Sequence, residues 1–294
     1  MVAVKYQAVY PFEPNYLSVA AGRIHFVDEG DKSDPVLLML HGNPTWSFYY
    51  RNLITKFRET HRVIAIDHLG CGLSDKPQDF DYTLNNHIEH VEALVEHLGL
   101  INVTLVLHDW GGAIGMGYAV RHPENIAQFV LFNTAAFPSP RIPFSINICR
   151  IPGFGALAIR GLNAFARAAL LRAAKHKDRL TPEVRAGYLE PYDSWENRVA
   201  HLRFVQDIPM SNKHPGYALL DSIAGGLEQF KDRPMLIVWG AQDFCFNDDF
   251  LNEWRKRFPA ALVHYVEDAG HYVVEDAHER IIGWMEAFLD GRSS

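Results

Sequence analysis

The sequence predicts an α/β fold: a mainly parallel sheet with helices on both faces and an inserted helical cap. Two observations carry that expectation. Short apolar runs of strand length recur along the 294 residues, and segments with helical spacing of apolar residues separate them. One long stretch rich in Pro, Phe and Arg lies between two of these runs and is too long for a single crossover helix.

In chain order, Gly22–Asp28 reads as an edge strand paired to the first parallel strand through a Gly30–Pro35 turn. The parallel strands are expected at Val36–Leu40, Val63–Ile66, Thr104–His108, Phe129–Phe132, Leu236–Trp239 and Val263–Val266. Between the second and third, Ile88, Val91, Leu94, Val95 and Leu98 repeat at helical spacing, as Ile281, Met285, Phe288 and Leu289 do near the end. The long stretch, with Leu162–Ala173 as its clearest helix, makes 137–211 the cap, inserted into a core of residues 1–136 and 212–294.

Composition narrows the function. The formal charge is −7 with no basic run and no nucleic-acid motif, so a small partner is expected and a polyanionic one is not. No apolar run approaches the roughly 20 residues that span a bilayer, so no membrane insertion is expected. The first twenty residues mix Lys5, Glu13, Pro11, Pro14 and tyrosines, unlike a secretory signal, and the expected location is cytoplasmic. Cys71, Cys149 and Cys245 are odd in number and far apart, against a disulfide framework or zinc ribbon.

In open parallel sheets ligands bind beyond the carboxyl ends of the strands. Those positions hold His41-Gly42-Asn43-Pro44, Asp109-Trp110-Gly111-Gly112, Gly240-Ala241-Gln242-Asp243 and Glu267-Asp268-Ala269-Gly270-His271. Asp109, Asp243 and His271 thus form a candidate triad in the order nucleophile, acid, histidine, as in α/β-hydrolases. Asp248, Asp249 and Asp268 compete for the acid role. At the elbow Asp109 takes the place of the usual serine, and Leu107 stands where the first glycine is usual. A carboxylate displaces a leaving group from an sp³ carbon, forming an alkyl ester, whereas a serine alkoxide attacks an acyl carbonyl. The simpler role for such an aspartate is to cap the following helix.

The segments His41–Ser47, Asp67–Pro77 and His108–Gly112 resemble the haloalkane dehalogenase family over almost the whole chain, least in the cap. The resemblance implies an α/β-hydrolase fold and hydrolysis of a carbon–halogen bond in a small apolar substrate. Asn43 and Trp110 would hold the departing halide ion through side-chain N–H groups, and their backbone N–H groups would form the oxyanion hole. Some related subfamilies place a glutamate where this chain has Asn133, which favours Asp243 as the acid. His271 would activate water against the Asp109 ester, with no metal or organic cofactor.

Three other readings share these residues. The first is a β-lactone decarboxylase of olefin biosynthesis, with the same nucleophile and donor pair. The second, an epoxide hydrolase, would use two cap tyrosines such as Tyr188 and Tyr192. The third is a non-catalytic ligand-binding homologue. Tyr188, Tyr192 and Trp195 either line a tunnel or pack the cap, and both readings stand. His87, Glu89, His90 and His97 read as a solvated helix face, and His122 as structural.

Overall fold

The computed structural model describes residues 5–291, so the first four and last three residues of the expected core lie outside it. Its sheet has eight strands, β1 (Asn15–Val19), β2 (Gly22–Glu29), β3 (Val36–Leu40), β4 (Arg62–Ile66), β5 (Val103–Asp109), β6 (Ile126–Thr134), β7 (Met235–Gly240) and β8 (Leu262–Val266), in the order β1-β2-β4-β3-β5-β6-β7-β8. From β4 to β8 all neighbours are parallel, while β1–β2 and β2–β4 are antiparallel.

The helices are α1 (Arg51–Phe57), α2 (Leu84–Leu98), α3 (Trp110–Arg121), α4 (Phe144–Asn147), α5 (Ala164–Arg172), α6 (Pro182–Leu189), α7 (Val199–Gln206), α8 (Tyr217–Gly226), α9 (Asp248–Arg257) and α10 (Val273–Leu289). Side chains of successive strand residues point to opposite faces, and the core divides accordingly. Leu38, Leu40, Leu105 and Leu107 pack with α2, α3, α8 and α9, whereas Leu37, Met39 and Val106 pack with α1 and α10. Both faces are therefore covered, as the uninterrupted apolar runs require. Between β6 and β7 the chain forms α4 to α8 and short 3₁₀ and π segments, with no strand among them.

Two expectations are corrected. Gly22–Glu29 pairs with β4, in the register Asp28↔Ile64, and not with β3. β3 is already hydrogen-bonded on both sides, by β4 and β5, so it has no free edge to offer. Ion pairs from Arg62 to Asp28 (2.8 Å) and Arg58 to Glu29 (3.1 Å) fasten β2 where it lies. Nor is β2 the edge, since β1 covers its other side.

The second correction concerns α2. Glu89 and His97 are exposed, but His87 and His90 are buried. His87 lies three residues after Leu84 and four before Val91, which places it on the apolar stripe. Its ring stacks on Phe204 of α7 at 4.6 Å.

Candidate active site

Asp109 ends β5 and opens α3 with φ 50° and ψ −124°, a conformation few non-glycine residues adopt. The sharp turn survives because Gly111 and Gly112, which follow Trp110, lack side chains. A Cβ on Gly111 would fall 2.0 Å from the Leu40 carbonyl oxygen, and one on Gly112 would fall 1.8 Å from Thr134 Oγ1. Asp109 Oδ1 accepts hydrogen bonds from the backbone N–H groups of Asn43 (2.8 Å) and Trp110 (2.7 Å). The bond to Trp110 is also a helix cap, so the simpler role foreseen for this carboxylate is present beside any chemical one. Asp109 Oδ2 points the other way and lies 3.5 Å from Nε2 of His271.

His271 sits in the loop between β8 and α10 and is buried. Its Nδ1 donates to Asp243 Oδ2 at 2.8 Å, while Asp243 Oδ1 accepts the Cys245 N–H at 2.6 Å. The three expected residues are thus brought together. The competing acids are elsewhere: Asp268 pairs with Arg280 and His176, Asp248 accepts from Tyr265, and Asp249 meets Arg141 on the surface.

Burial pushes the Asp109 carboxyl above the usual carboxylate range, although His271 and the two N–H groups pull it down. Burial lowers the basicity of His271, but the facing Asp243 and Asp109 outweigh it and the imidazole ends above its ordinary value. The two facing carboxyl groups thus favour the protonated form of His271.

Asn43 and Trp110 both line the cavity that opens above Asp109. Asn43 Nδ2 donates to the His201 carbonyl oxygen at 3.1 Å, leaving its second hydrogen for a ligand. Its Oδ1 is buried without a hydrogen-bond partner among the described residues. The Trp110 indole packs against Phe204, 5.2 Å between rings. The remaining lining is largely apolar, with Ile146, Phe165 and Val205 from the insertion facing Leu84, Phe246 and Leu220 from the sheet side.

Tyr188 and Tyr192 do not line this cavity. Tyr188 donates to Glu275 Oε2 at 2.8 Å and stacks on Tyr272, and Tyr192 accepts the Gly72 N–H at 2.9 Å. Trp195 is half-exposed under Arg160. The pair of tyrosines required for epoxide opening is therefore committed to packing.

Two positioning groups escaped the sequence reading. His201 contributes only a backbone carbonyl, which no motif can announce. His108 hydrogen-bonds through Nε2 to the His271 carbonyl oxygen at 2.9 Å and stacks on Tyr49. In the sequence His108 ends a strand and opens the His108–Gly112 segment, with no role of its own assigned. His122, expected to be structural, bonds Glu92 at 3.0 Å. No group of three His, Cys, Asp or Glu among the described residues is arranged to hold a metal.

A model of the α/β hydrolase fold matches residues 35–277. The chain belongs to the α/β-hydrolase family. It is 46% identical to a cis-3-alkyl-4-alkyloxetan-2-one decarboxylase of Shewanella oneidensis, over 95% of this chain and 89% of that one. A protein of the same name from Xanthomonas campestris is 40% identical, over 96% and 97%. A haloalkane dehalogenase of Mycobacterium tuberculosis is more distant, at 31% over 93% of each chain. The solved haloalkane dehalogenase of Agrobacterium tumefaciens superposes with a TM-score of 0.84 at 26% identity, covering 96% of this chain and 97% of that one.

This ordering overturns the expectation of carbon–halogen hydrolysis. The dehalogenases share the fold of this member of the family, but the relatives at 46% and 40% identity carry the decarboxylase name. The motifs quoted above did not separate the two because both readings use the same nucleophile, histidine and donor pair.

Proposed function

We propose that this chain decarboxylates cis-3,4-dialkyl β-lactones to cis-alkenes, with Asp109 as the nucleophile. The observation that carries the reading is a buried carboxylate at the elbow, beneath an apolar cavity, in a chain 46% identical to an enzyme of that name.

The chemistry follows from a carboxylate meeting an oxetan-2-one. Asp109 Oδ2 is the free oxygen, since Oδ1 is held by two N–H groups. It attacks C4, the ring carbon bonded to the ring oxygen, from the face opposite that oxygen. The C4–O bond breaks, C4 inverts, and the ring oxygen leaves as part of a carboxylate on C3. That leaving group is a delocalised oxyanion, suited to the neutral N–H donors of Asn43 and Trp110.

The new carboxylate lies antiperiplanar to the C4–Asp109 ester bond without further rotation. The bond from C3 to the carboxylate carbon then breaks, its electron pair forms C3=C4, and the ester bond returns its pair to Asp109. Carbon dioxide and the alkene leave, and neither water nor a proton is consumed. The Asn43 and Trp110 backbone N–H groups steady Asp109 as it is released. His271, held by Asp243, supplies the positive charge facing that carboxylate and, in this reading, is not required as a base toward water.

The test is incubation with a cis-3,4-dialkyl oxetan-2-one followed by product analysis. Equal amounts of carbon dioxide and cis-alkene are expected, and Asp109→Asn should lower turnover by more than about a thousandfold. A 3-hydroxy acid in place of the alkene would mean that water intercepts the ester. A trans-alkene would refute the inversion and antiperiplanar sequence.

A further inference from the structure

The charge of this acidic chain is unevenly distributed. Between Asn125 and Lys177 there are five arginines and two lysines and no aspartate or glutamate, in a chain whose formal total is −7. Arg150, Arg167 and Lys175 in this stretch have no carboxylate partner among the described residues. The same stretch carries most of the large apolar side chains left open to water. Phe144 is 80% exposed, Leu162 66% and Leu157 61%, with Ile151 and Phe154 about half-exposed. The short segments Ile148–Arg150 and Ala156–Gly161 of this stretch touch each other. Phe144, Ile148, Arg150 and Ile151 border one shallow surface groove, while Leu157 and Trp195 approach each other across Gly161.

Isolated apolar side chains on a surface need no explanation, but a cluster of them rimmed by cations does. Leu and Phe beside Arg is the composition of a face that lies in a bilayer interface, the apolar groups entering the acyl boundary and the cations meeting anionic headgroups. A second observation points the same way. Ser139, Arg141, Ile142 and Pro143 of this stretch line the cavity that leads to Asp109. The cationic, apolar stretch and the access to the site therefore belong to one part of the molecule.

We propose that this face docks peripherally on an anionic lipid surface and draws its apolar substrate from the bilayer into the cavity. The docking rests on the exposed residues alone. The identity of the cargo, a dialkyl β-lactone, rests on the function proposed above. A lactone with two long alkyl groups dissolves in acyl chains far better than in water, so an opening pressed against the membrane receives it without a passage through solvent. No spanning helix is needed, and none of the described helices is long and apolar enough to be one.

The experiment is co-sedimentation of the full chain with vesicles of phosphatidylcholine alone and of phosphatidylcholine mixed with phosphatidylglycerol. The chain should pellet with the anionic vesicles, less with the neutral ones, and be released by added salt. Two double variants, Leu157→Ser with Leu162→Ser and Arg150→Glu with Arg167→Glu, should each lower the bound-to-free ratio at least about tenfold. Both should keep the wild-type melting profile and full turnover of a short-chain lactone dispersed in buffer. A wild-type chain that pellets with neither vesicle overturns the docking, whatever its turnover. A dimer in light scattering that the serine variant splits also overturns it, because a second copy would then cover the face. Vesicle binding without lactone turnover removes the cargo and leaves the docking standing.

Discussion

Asn133 shows how a single side chain aims the site without touching the substrate. Its Nδ2 donates to the Gly240 carbonyl at 3.1 Å and its Oδ1 accepts the Gly240 N–H at 2.7 Å, just before the turn that presents Asp243. Asn133→Ala would leave the buried Gly240 N–H unpaired, at about 1–3 kcal/mol, leave its carbonyl only the 3.4 Å bond from the Asp243 N–H, and loosen the support of His271. We expect a lower melting temperature and a kcat reduced by about tenfold with KM little changed, since one decade costs only about 1.4 kcal/mol. Steady-state kinetics with thermal unfolding checks this, and a variant normal in both would remove Asn133 from the positioning of Asp243. At this scale the candidate site was largely legible: Asp109, Asp243 and His271 stood directly after strands. Leu107, which departed from the usual elbow pattern, fits because Gly115 lies beside it, where a Cβ would come 2.4 Å from the Leu107 side chain. Such a compensation between strand and helix is invisible in a local motif.

The elements are held together by a buried cluster that joins three helices. Arg51 of α1 makes a two-pronged ion pair with Glu275 of α10, at 2.8 and 2.6 Å, and Tyr188 of α6 donates to the same carboxylate. The insertion is thereby fastened to the core by groups that no water screens. Breaking a buried pair by removing one partner typically costs about 3–5 kcal/mol, because the other charge is left behind. Glu275→Gln should lose about that much in urea unfolding, whereas Tyr188→Phe should lose about 1–2 kcal/mol. A Glu275→Gln variant as stable as wild type would show that Arg51 finds another partner. Such long-range polar links explain what the sequence could not show among the elements. Every buried parallel strand declared itself by an apolar run, yet the neighbour of Gly22–Glu29 depended on Arg62, 34 residues from Asp28. β1 stayed hidden because its residues are half-buried or exposed, so Asn15–Val19 forms no apolar run. Tyr188 and Tyr192 could not be sorted between tunnel and packing, since their partners are a distant carboxylate and a backbone N–H.

For the whole molecule, five fully buried histidines set an acid limit. Burial pushes His41 down to about 4 and His201 to about 3, and holds His68, His87 and His108 well below the ordinary value of 6.5. Each remains neutral in the folded chain and takes up a proton in the unfolded one, so the unfolded state binds more protons as pH falls below 6.5 and stability drops. One pH unit below that value each histidine withdraws about 1.4 kcal/mol, and the five together about 7 kcal/mol. A typical domain has only about 5–15 kcal/mol in total. The opposite sign applies to Asp207, raised by burial from 3.8 to about 6, whose contribution is present below 3.8 and lost as pH rises through 6. His271, also raised, likewise favours the folded state in acid. Asp109 and Asp276, raised by burial as well, act in the same direction, and these four groups offset part of the loss from the five histidines. We therefore expect cooperative acid unfolding with a midpoint between about pH 5 and 6, followed by circular dichroism. His87 provides the control, because neither of its ring nitrogens has a hydrogen-bond partner among the described residues. His87→Phe keeps the stacking on Phe204, removes a desolvated imidazole and abolishes one proton uptake on unfolding. It should shift the midpoint to lower pH without lowering stability at neutral pH. A wild-type midpoint below about pH 4, unmoved by His87→Phe, would mean that carboxylates and not the buried histidines govern the acid limit.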